Sequence, residues 1–170
     1  KLICIPGNAG TQKVAENIKE DISDFDSIYK IIKDKNIDIV VVGPEQPLVD
    51  GLVDYLKEKK IHVFGPDKFS SQLEGSKAFM KSLCKSNYIP TANFGIFKNI
   101  DEASEFIKKK EFPLVIKADG LASGKGVYIC KNETEAYLSI KEIFGGKFGK
   151  AKNILIEEFL DGEEMSYFII

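Results

Sequence analysis

Cysteine, histidine and an excess of charge of either sign are what this 170-residue sequence has little of. Its three cysteines, Cys4, Cys84 and Cys130, are odd in number, widely spaced and set among apolar neighbours. That pattern argues against a disulfide framework or a zinc site and suits a reducing, cytoplasmic setting. None has a cationic neighbour that would activate a thiolate. The one histidine, His62, sits inside the strand-like "IHVF" and reads as structural. With no Ser/His/Asp set at a recognisable spacing, covalent catalysis by a protein nucleophile is not supported. The formal net charge of -2 leaves no broad basic face, so no nucleic acid partner is expected. No apolar run approaches the ~20 residues of a membrane span, and no signal peptide is visible, so no membrane partner is expected either. Internal repeats and low-complexity tracts are also missing.

What is there alternates. "LICI" reads as a short buried strand that stops at Pro6-Gly7, before the small polar turn "NAGT". Ile28, Ile31 and Ile32 fall at helical spacing from Ser27 to Lys35, with Asp24 or Asp26 placed to cap the start. "IDIVVV" is an uninterrupted apolar strand of the kind covered on both faces, ended by "GPEQP". Leu48, Leu52 and Leu56 then share a helical stripe, and Lys57, Lys59 and Lys60 lie near the helix C-terminus, where the dipole favours them. "IHVFGP" is strand and turn again. Strand, helix, strand, helix, strand predicts a doubly wound parallel α/β unit. Its ligand crevice is expected at the carboxyl ends of the strands, where the turns "PGNAGT", "GPEQP" and "FGPD" sit.

Past Asp67 the pattern changes. Residues 76–87 predict a helix with Phe79, Met80, Leu83 and Cys84 on its buried side. "ANFGIF" reads as a strand and "DEASEFIKKK" as a helix whose terminal lysines are solvated. The strand "PLVIK" then leads through "ADGLASGKG" into a second strand, "VYIC". Asn132 with Glu135 resembles a capping box for the helix "ETEAYLSIKEIF". After the connection "GGKFGKAKN" comes "ILIEEFLDGEE", a strand whose end carries Glu157, Glu158, Asp161, Glu163 and Glu164.

Residues 117–126, "KADGLASGKG", hold three glycines and two lysines and look like a phosphate cradle. They are not a Walker loop, because Gly120 and Gly124 enclose three residues and Gly126 follows Lys125. They are not the dinucleotide fingerprint, because a strand follows rather than a helix. Strand, glycine loop and strand make a hairpin that can lay backbone N–H groups over a phosphate chain; an ordinary flexible turn is the competing reading. Lys117 closes an apolar strand and must either reach solvent or meet an anion. Glu157 and Glu158 are adjacent on a strand and point to opposite faces, so one of them needs a buried partner, either a lysine or an amino group of a ligand. For Glu163 a solvated acidic turn is the preferred reading.

"GSKAFMK", "IPTA", "VIKADGLASGKGV" and "IEEFLDGEE", in this order, resemble the ATP-grasp ligases, most closely the phosphoribosylamine–glycine ligase family. "PGNAGT" and "VVGPEQPLVDGLVDYL" extend the resemblance over nearly the whole chain. It implies an N-terminal doubly wound parallel α/β (pre-ATP-grasp) domain over 1–74, lacking its first strand. Part of an ATP-grasp fold would follow over 75–170, with a glycine-rich β-hairpin lid subdomain at about 95–160. It implies ATP-dependent ligation of glycine to 5-phosphoribosylamine through glycyl phosphate, in purine synthesis, with ATP as substrate and Mg2+ or Mn2+ as cofactor; another ATP-grasp ligase of purine synthesis, or a non-catalytic nucleotide-binding module, is the alternative. The partners implied are small molecules, with no obligate protein partner. Carried over by motif, Lys77 and Lys117 contact ATP phosphates, with Lys117 also near adenine. Gly124, Lys125 and Gly126 form the flap. Glu157, Glu158, Phe159 and Leu160 form a hinge strand facing adenine, and Glu164 meets ribose. Gly7, Asn8, Ala9, Gly10 and Thr11, with Gly43, Pro44 and Glu45, form the sugar-phosphate pocket. Because the chain opens in "KLICIPG" and stops in "MSYFII", a fragment is expected, inactive alone, with metal ligands beyond Ile170.

Overall fold

A computed structural model describes residues 1–122, 125–149 and 151–167. The chain divides into two units, Lys1–Gly75 and Ser76–Ile170.

In the first unit, β1 (Ile3–Cys4) pairs in parallel with β2 (Glu16–Asn17), Ile3 opposite Glu16. Asp24 caps α1 (Phe25–Asp34) by accepting from the Ser27 N–H, so the helix starts two residues before Ser27. Further along, β3 (Val40–Val41) pairs in parallel with β4 (Val63–Phe64). Between them lie α2 (Glu45–Asp50) and α3 (Leu52–Glu58), and α4 (Gln72–Gly75) closes the unit. Ile28 and Ile32 of α1 meet Leu52, Val53 and Leu56 of α3 over Val42, and this is the core that the apolar periodicity predicts.

Four details differ from the sequence reading. The helix expected through Leu48, Leu52 and Leu56 is broken at Gly51, whose φ of 101° is left-handed; its N–H caps α2 on the carbonyls of Pro47 and Leu48. The run "IDIVVV" contributes only two residues of ladder. β2 was not anticipated, because "EN" carries no strand signal. Among the described residues the parallel strands form two separate pairs rather than one sheet. An apolar cavity of about 420 Å3, lined by Ile3, Ile5, Ile31, Val40 and Val42, lies within this unit.

Among its described residues the second unit is a four-stranded antiparallel sheet with three helices. Its elements in chain order are α5 (Lys77–Ser86), β5 (Phe94–Phe97), α6 (Ile100–Ile107) and β6 (Leu114–Ala118). Then come β7 (Val127–Cys130), α7 (Glu133–Phe144) and β8 (Ile154–Glu158). The strand order is β5-β8-β6-β7, so the last strand inserts between the first two. Each helix has a side-chain cap: Ser76 accepts from Phe79 N–H, Asn99 from Glu102 N–H, and Asn132 from Glu135 N–H. Glu135 reaches back to the N–H of Lys131 rather than to that of Asn132, one residue off the expected box.

The pleat sorts the sheet residues. Leu114, Ile116, Ala118, Ile154 and Ile156 turn to one face and pack with Ala103, Ile107, Ala136, Ile140 and Ile143 of α6 and α7. The other face carries Phe94 opposite Glu157, Val115 opposite Glu157, and Lys117 opposite Leu155. That second face holds the polar chemistry. Among the described residues no helix is long and apolar enough to cross a membrane.

Candidate functional site

Glu157 is 4% exposed, and a carboxylate taken that far from water needs cations. It has two. Lys117, from the neighbouring strand β6, donates to Glu157 Oε2 at 2.9 Å, and Lys81, from α5, sits 3.1 Å from the same oxygen. Lys81 is as buried as Glu157; its ammonium also donates to Thr91 Oγ1 at 2.6 Å and lies over the Phe94 ring at 5.7 Å. Glu157 Oε1 is buried and has no hydrogen-bond partner among the described residues. The sequence reading left Glu157 a choice between a lysine and a ligand amino group. The structure supplies the lysine twice, on one oxygen, and leaves the other oxygen open.

Lys81 is a member of this cluster that the sequence reading does not single out. The helical spacing predicts a buried stripe of Phe79, Met80, Leu83 and Cys84, yet in α5 it is Lys81 that is buried, while Leu83 is exposed. The available signal was Glu157 itself: an acid in the apolar run "ILIE" demands a cation from the element packed over it.

Asp119, just past β6, was also overlooked, and it ties the glycine hairpin to α5. Its carboxylate accepts from Ser76 Oγ at 3.2 Å, from the Ala78 N–H at 3.2 Å, from the Gly120 N–H at 3.1 Å and from Asn153 Nδ2 at 3.1 Å. A carboxylate at the first turn of α5 also meets the positive end of the helix dipole. Lys77, one residue inside that helix, donates to the Gly120 carbonyl at 2.8 Å. The start of α5 and the start of the glycine loop are therefore one hydrogen-bonded assembly.

The hairpin closes where Ala118 N–H donates to Gly126 O at 2.8 Å, and Lys125 N–H donates to Ala122 O at 2.8 Å. Gly126 has φ +80°, and a Cβ there would press on Ala118, Ala122 and Phe148 at 3.2–3.3 Å. Only glycine fits that backbone without strain. Lys125 is exposed; Gly124 lies outside the described residues.

At the far end of β8, Glu158 accepts from the Asn93 N–H and Nδ2, each at 2.9 Å, and its own N–H donates to Asn93 O at 3.0 Å. The Asn93 backbone N–H, then its side chain, hold the Glu158 carboxyl below its usual range. Phe159, Leu160 and Glu164 follow as exposed residues beyond the strand. No hydrogen bond among the described residues links Glu164 to this cluster.

In the first unit the turn Gly7–Thr11 is knit by Asn8, whose Oδ1 accepts from the N–H groups of Gly10 and Thr11 at 2.8 and 3.0 Å. Asn17 Nδ2 donates to Asn8 O at 2.7 Å, and Gly7, with φ +74°, leaves the Asn17 side chain the room that a Cβ would take. Ala9 is exposed in that turn, and the N–H of Gly10 is already used within it. Pro44 stands at the N-cap of α2, Glu45 is its first residue, and Gly43 has open space around it. No hydrogen bond joins the two turns among the described residues. The described residues hold no group of three or more His, Cys, Asp or Glu side chains placed for a metal ion.

Known proteins resemble this chain in sequence and in fold. The N domain of phosphoribosylglycinamide synthetase matches residues 1–74, and its ATP-grasp (A) domain matches residues 75–170. A phosphoribosylamine–glycine ligase of Brucella melitensis is 46% identical over all of this chain. The crystal structure of phosphoribosylamine–glycine ligase from Thermotoga maritima superposes with a TM-score of 0.73, at 38% identity over 93% of this chain and 37% of that one. N5-carboxyaminoimidazole ribonucleotide synthetase from Thermus thermophilus, 18% identical with a TM-score of 0.69 over 94% of this chain and 40% of that one, shares the fold alone. The chain spans about 40% of the length of the Brucella relative. With matches that run through both units, this α/β chain belongs to the phosphoribosylglycinamide synthetase family, its residues 75–170 falling in that family's ATP-grasp domain.

Proposed function

We propose that the protein of which this chain is the described part joins glycine to 5-phosphoribosylamine at the expense of ATP. The observation that carries this reading is the identity of 46% over the full chain with a relative named for that ligation. In the reaction, a glycine carboxylate oxygen takes the γ-phosphoryl group, releasing ADP. The amine of phosphoribosylamine then attacks the acyl carbon of glycyl phosphate, phosphate leaves and the amine gives up a proton. The product is glycinamide ribonucleotide, a purine precursor.

Neither step needs a protein nucleophile; what the protein supplies is position and charge. Lys77 and Lys117, with Lys125 of the hairpin, bring positive charge to the triphosphate. The N–H groups of the Gly124–Gly126 flap cover it and keep water from an acyl phosphate. Lys117 already rests on an anion, the Glu157 carboxylate, so it can exchange or share that partner when phosphate arrives. Glu157 to Leu160 give adenine an edge of backbone and one open acceptor, and Glu164 faces ribose. The turns Gly7–Thr11 and Gly43–Glu45 hold the sugar phosphate, with Mg2+ or Mn2+ as the divalent ion of the reaction.

The test is release of ADP by the full-length protein with ATP, phosphoribosylamine and glycine together. Release that requires both acceptors, with glycinamide ribonucleotide formed in equal amount, is expected. Release indifferent to glycine would sink the reading.

A further inference from the structure

Lys81 and Glu157 are the two charged side chains among the described residues that are buried to 4% exposure, and they touch. Their arrangement is lopsided. Both ammonium groups, at 3.1 Å from Lys81 and 2.9 Å from Lys117, lie on Oε2, and Oε1 is left buried without a donor among the described residues. A carboxylate free to turn would share its two oxygens between its two cations. Here one cation is fixed from behind. Lys81 is held by Thr91 Oγ1 at 2.6 Å and by the Phe94 ring, both independent of any ligand. Lys117 has a side chain 27% exposed and can follow a ligand; Lys81 cannot.

We infer that Lys81, held by Thr91, is a positioning residue that locks Glu157 with Oε1 presented as a lone hydrogen-bond acceptor, and that this sets a preference for 6-aminopurine over 6-oxopurine nucleotides. The inference rests on the proposed reading that the edge at Glu157–Leu160 receives the purine. A buried acceptor without a donor is costly, and a ligand N–H at that point removes the cost. The 6-amino group of adenine is such a donor. The 6-oxo group of hypoxanthine or guanine would set oxygen against oxygen, and sites with a committed polar group reject the wrong partner more strongly than apolar pockets do. If Lys81 loses its anchor, the carboxylate can turn, Oε1 can meet Lys117, and the discrimination fades.

The test measures dissociation constants of ATP and ITP, which differ in the 6-position edge of the base, for the full-length protein. Wild type, Thr91→Val and Lys81→Met are compared, with melting temperature as the fold control. Thr91 is exposed, and valine removes its hydroxyl at similar volume, so this variant keeps its fold even where Lys81→Met does not. The wild type is expected to favour ATP by roughly 30-fold, the order for one buried unpaired acceptor. Thr91→Val should cut the ratio at least about threefold and Lys81→Met about tenfold, chiefly by weakening ATP. A ratio unchanged in Thr91→Val, or a wild type that binds ATP and ITP alike, overturns the inference and leaves the nucleotide site standing. A wild type that binds neither nucleotide overturns both.

Discussion

Removing Glu157 should cost far more stability than removing any surface acid. Glu157→Ala leaves the Lys81 ammonium buried, with Thr91 and the Phe94 ring as its remaining company. An uncompensated buried charge destabilises by about 3–5 kcal/mol, whereas replacing both members of such a pair with apolar side chains of similar volume is often neutral. The expected outcome in urea unfolding is a large drop in the midpoint for Glu157→Ala and recovery of most of it in Glu157→Leu/Lys81→Met. A double variant as weak as the single one would refute the buried-pair account. At this scale the sequence was half legible. Glu157 announces itself, because an acid inside an apolar strand must be partnered. Lys81 does not, because a lysine among Ser, Phe and Met on a helix reads as solvated until the strand beneath it is known. Asp119 was hidden for a similar reason: beside Gly120 it looks like a turn residue, and only the fold brings Ser76 and Asn153 to it.

Helices and hairpins carry their own punctuation, and most of it was readable. Asp24, Ser76, Asn99 and Asn132 each cap where a short polar residue precedes an apolar-periodic run. The break between α2 and α3 escaped because Leu48, Leu52 and Leu56 keep helical spacing across Gly51, and periodicity cannot register a single left-handed residue. That residue is testable. Gly51→Ala forces a Cβ into φ 101° and brings it to 3.1 Å from the Lys68 side chain, a flexible neighbour that can yield. The conformational cost therefore decides, and it is about 1–2 kcal/mol. An equilibrium unfolding midpoint equal to that of the wild type would mean that α2 and α3 can run on as one helix. Strand extent was the least legible feature. "IDIVVV" and "LICI" are apolar enough for long ladders, but a ladder needs a neighbour, and partner strands lie outside what local composition encodes. The hairpin of β6 and β7 was legible because both strands and their glycine turn are contiguous. The insertion of β8 between β5 and β6 was not, because both of its pairings join segments far apart in the chain, Phe94 with Glu157 on one side and Leu114 with Glu158 on the other.

For the chain as a whole, order of motifs made the architecture readable, while the charge balance over its surface governs how it responds to acid. The Glu16 carboxyl is held down at about 2, first by its hydrogen bond to Lys1 and then by that to Lys35. Asp21 and Asp24 are lowered by the N–H groups of Ser23 and Ser27. Glu142 is lowered by Lys147 and then by Tyr128. Glu16 is half-buried and the others are exposed, so each contributes modestly and the sum is what matters. In the unfolded chain these groups titrate near about 4, so on acidification the unfolded state takes up protons before the folded state does. The stability they supply is complete above about pH 5 and drains away as pH falls toward about 2, with Glu16 the last to lose its share. Urea midpoints should fall monotonically from about pH 6 to about pH 3. Salt separates the causes: at about 1 M the Debye length is about 3 Å, so the parts due to Lys1, Lys35 and Lys147 shrink while the caps at Asp21 and Asp24 persist. A midpoint that stays flat through this range, or rises, would show that these exposed pairs and caps are no stronger in the folded protein than in the unfolded chain.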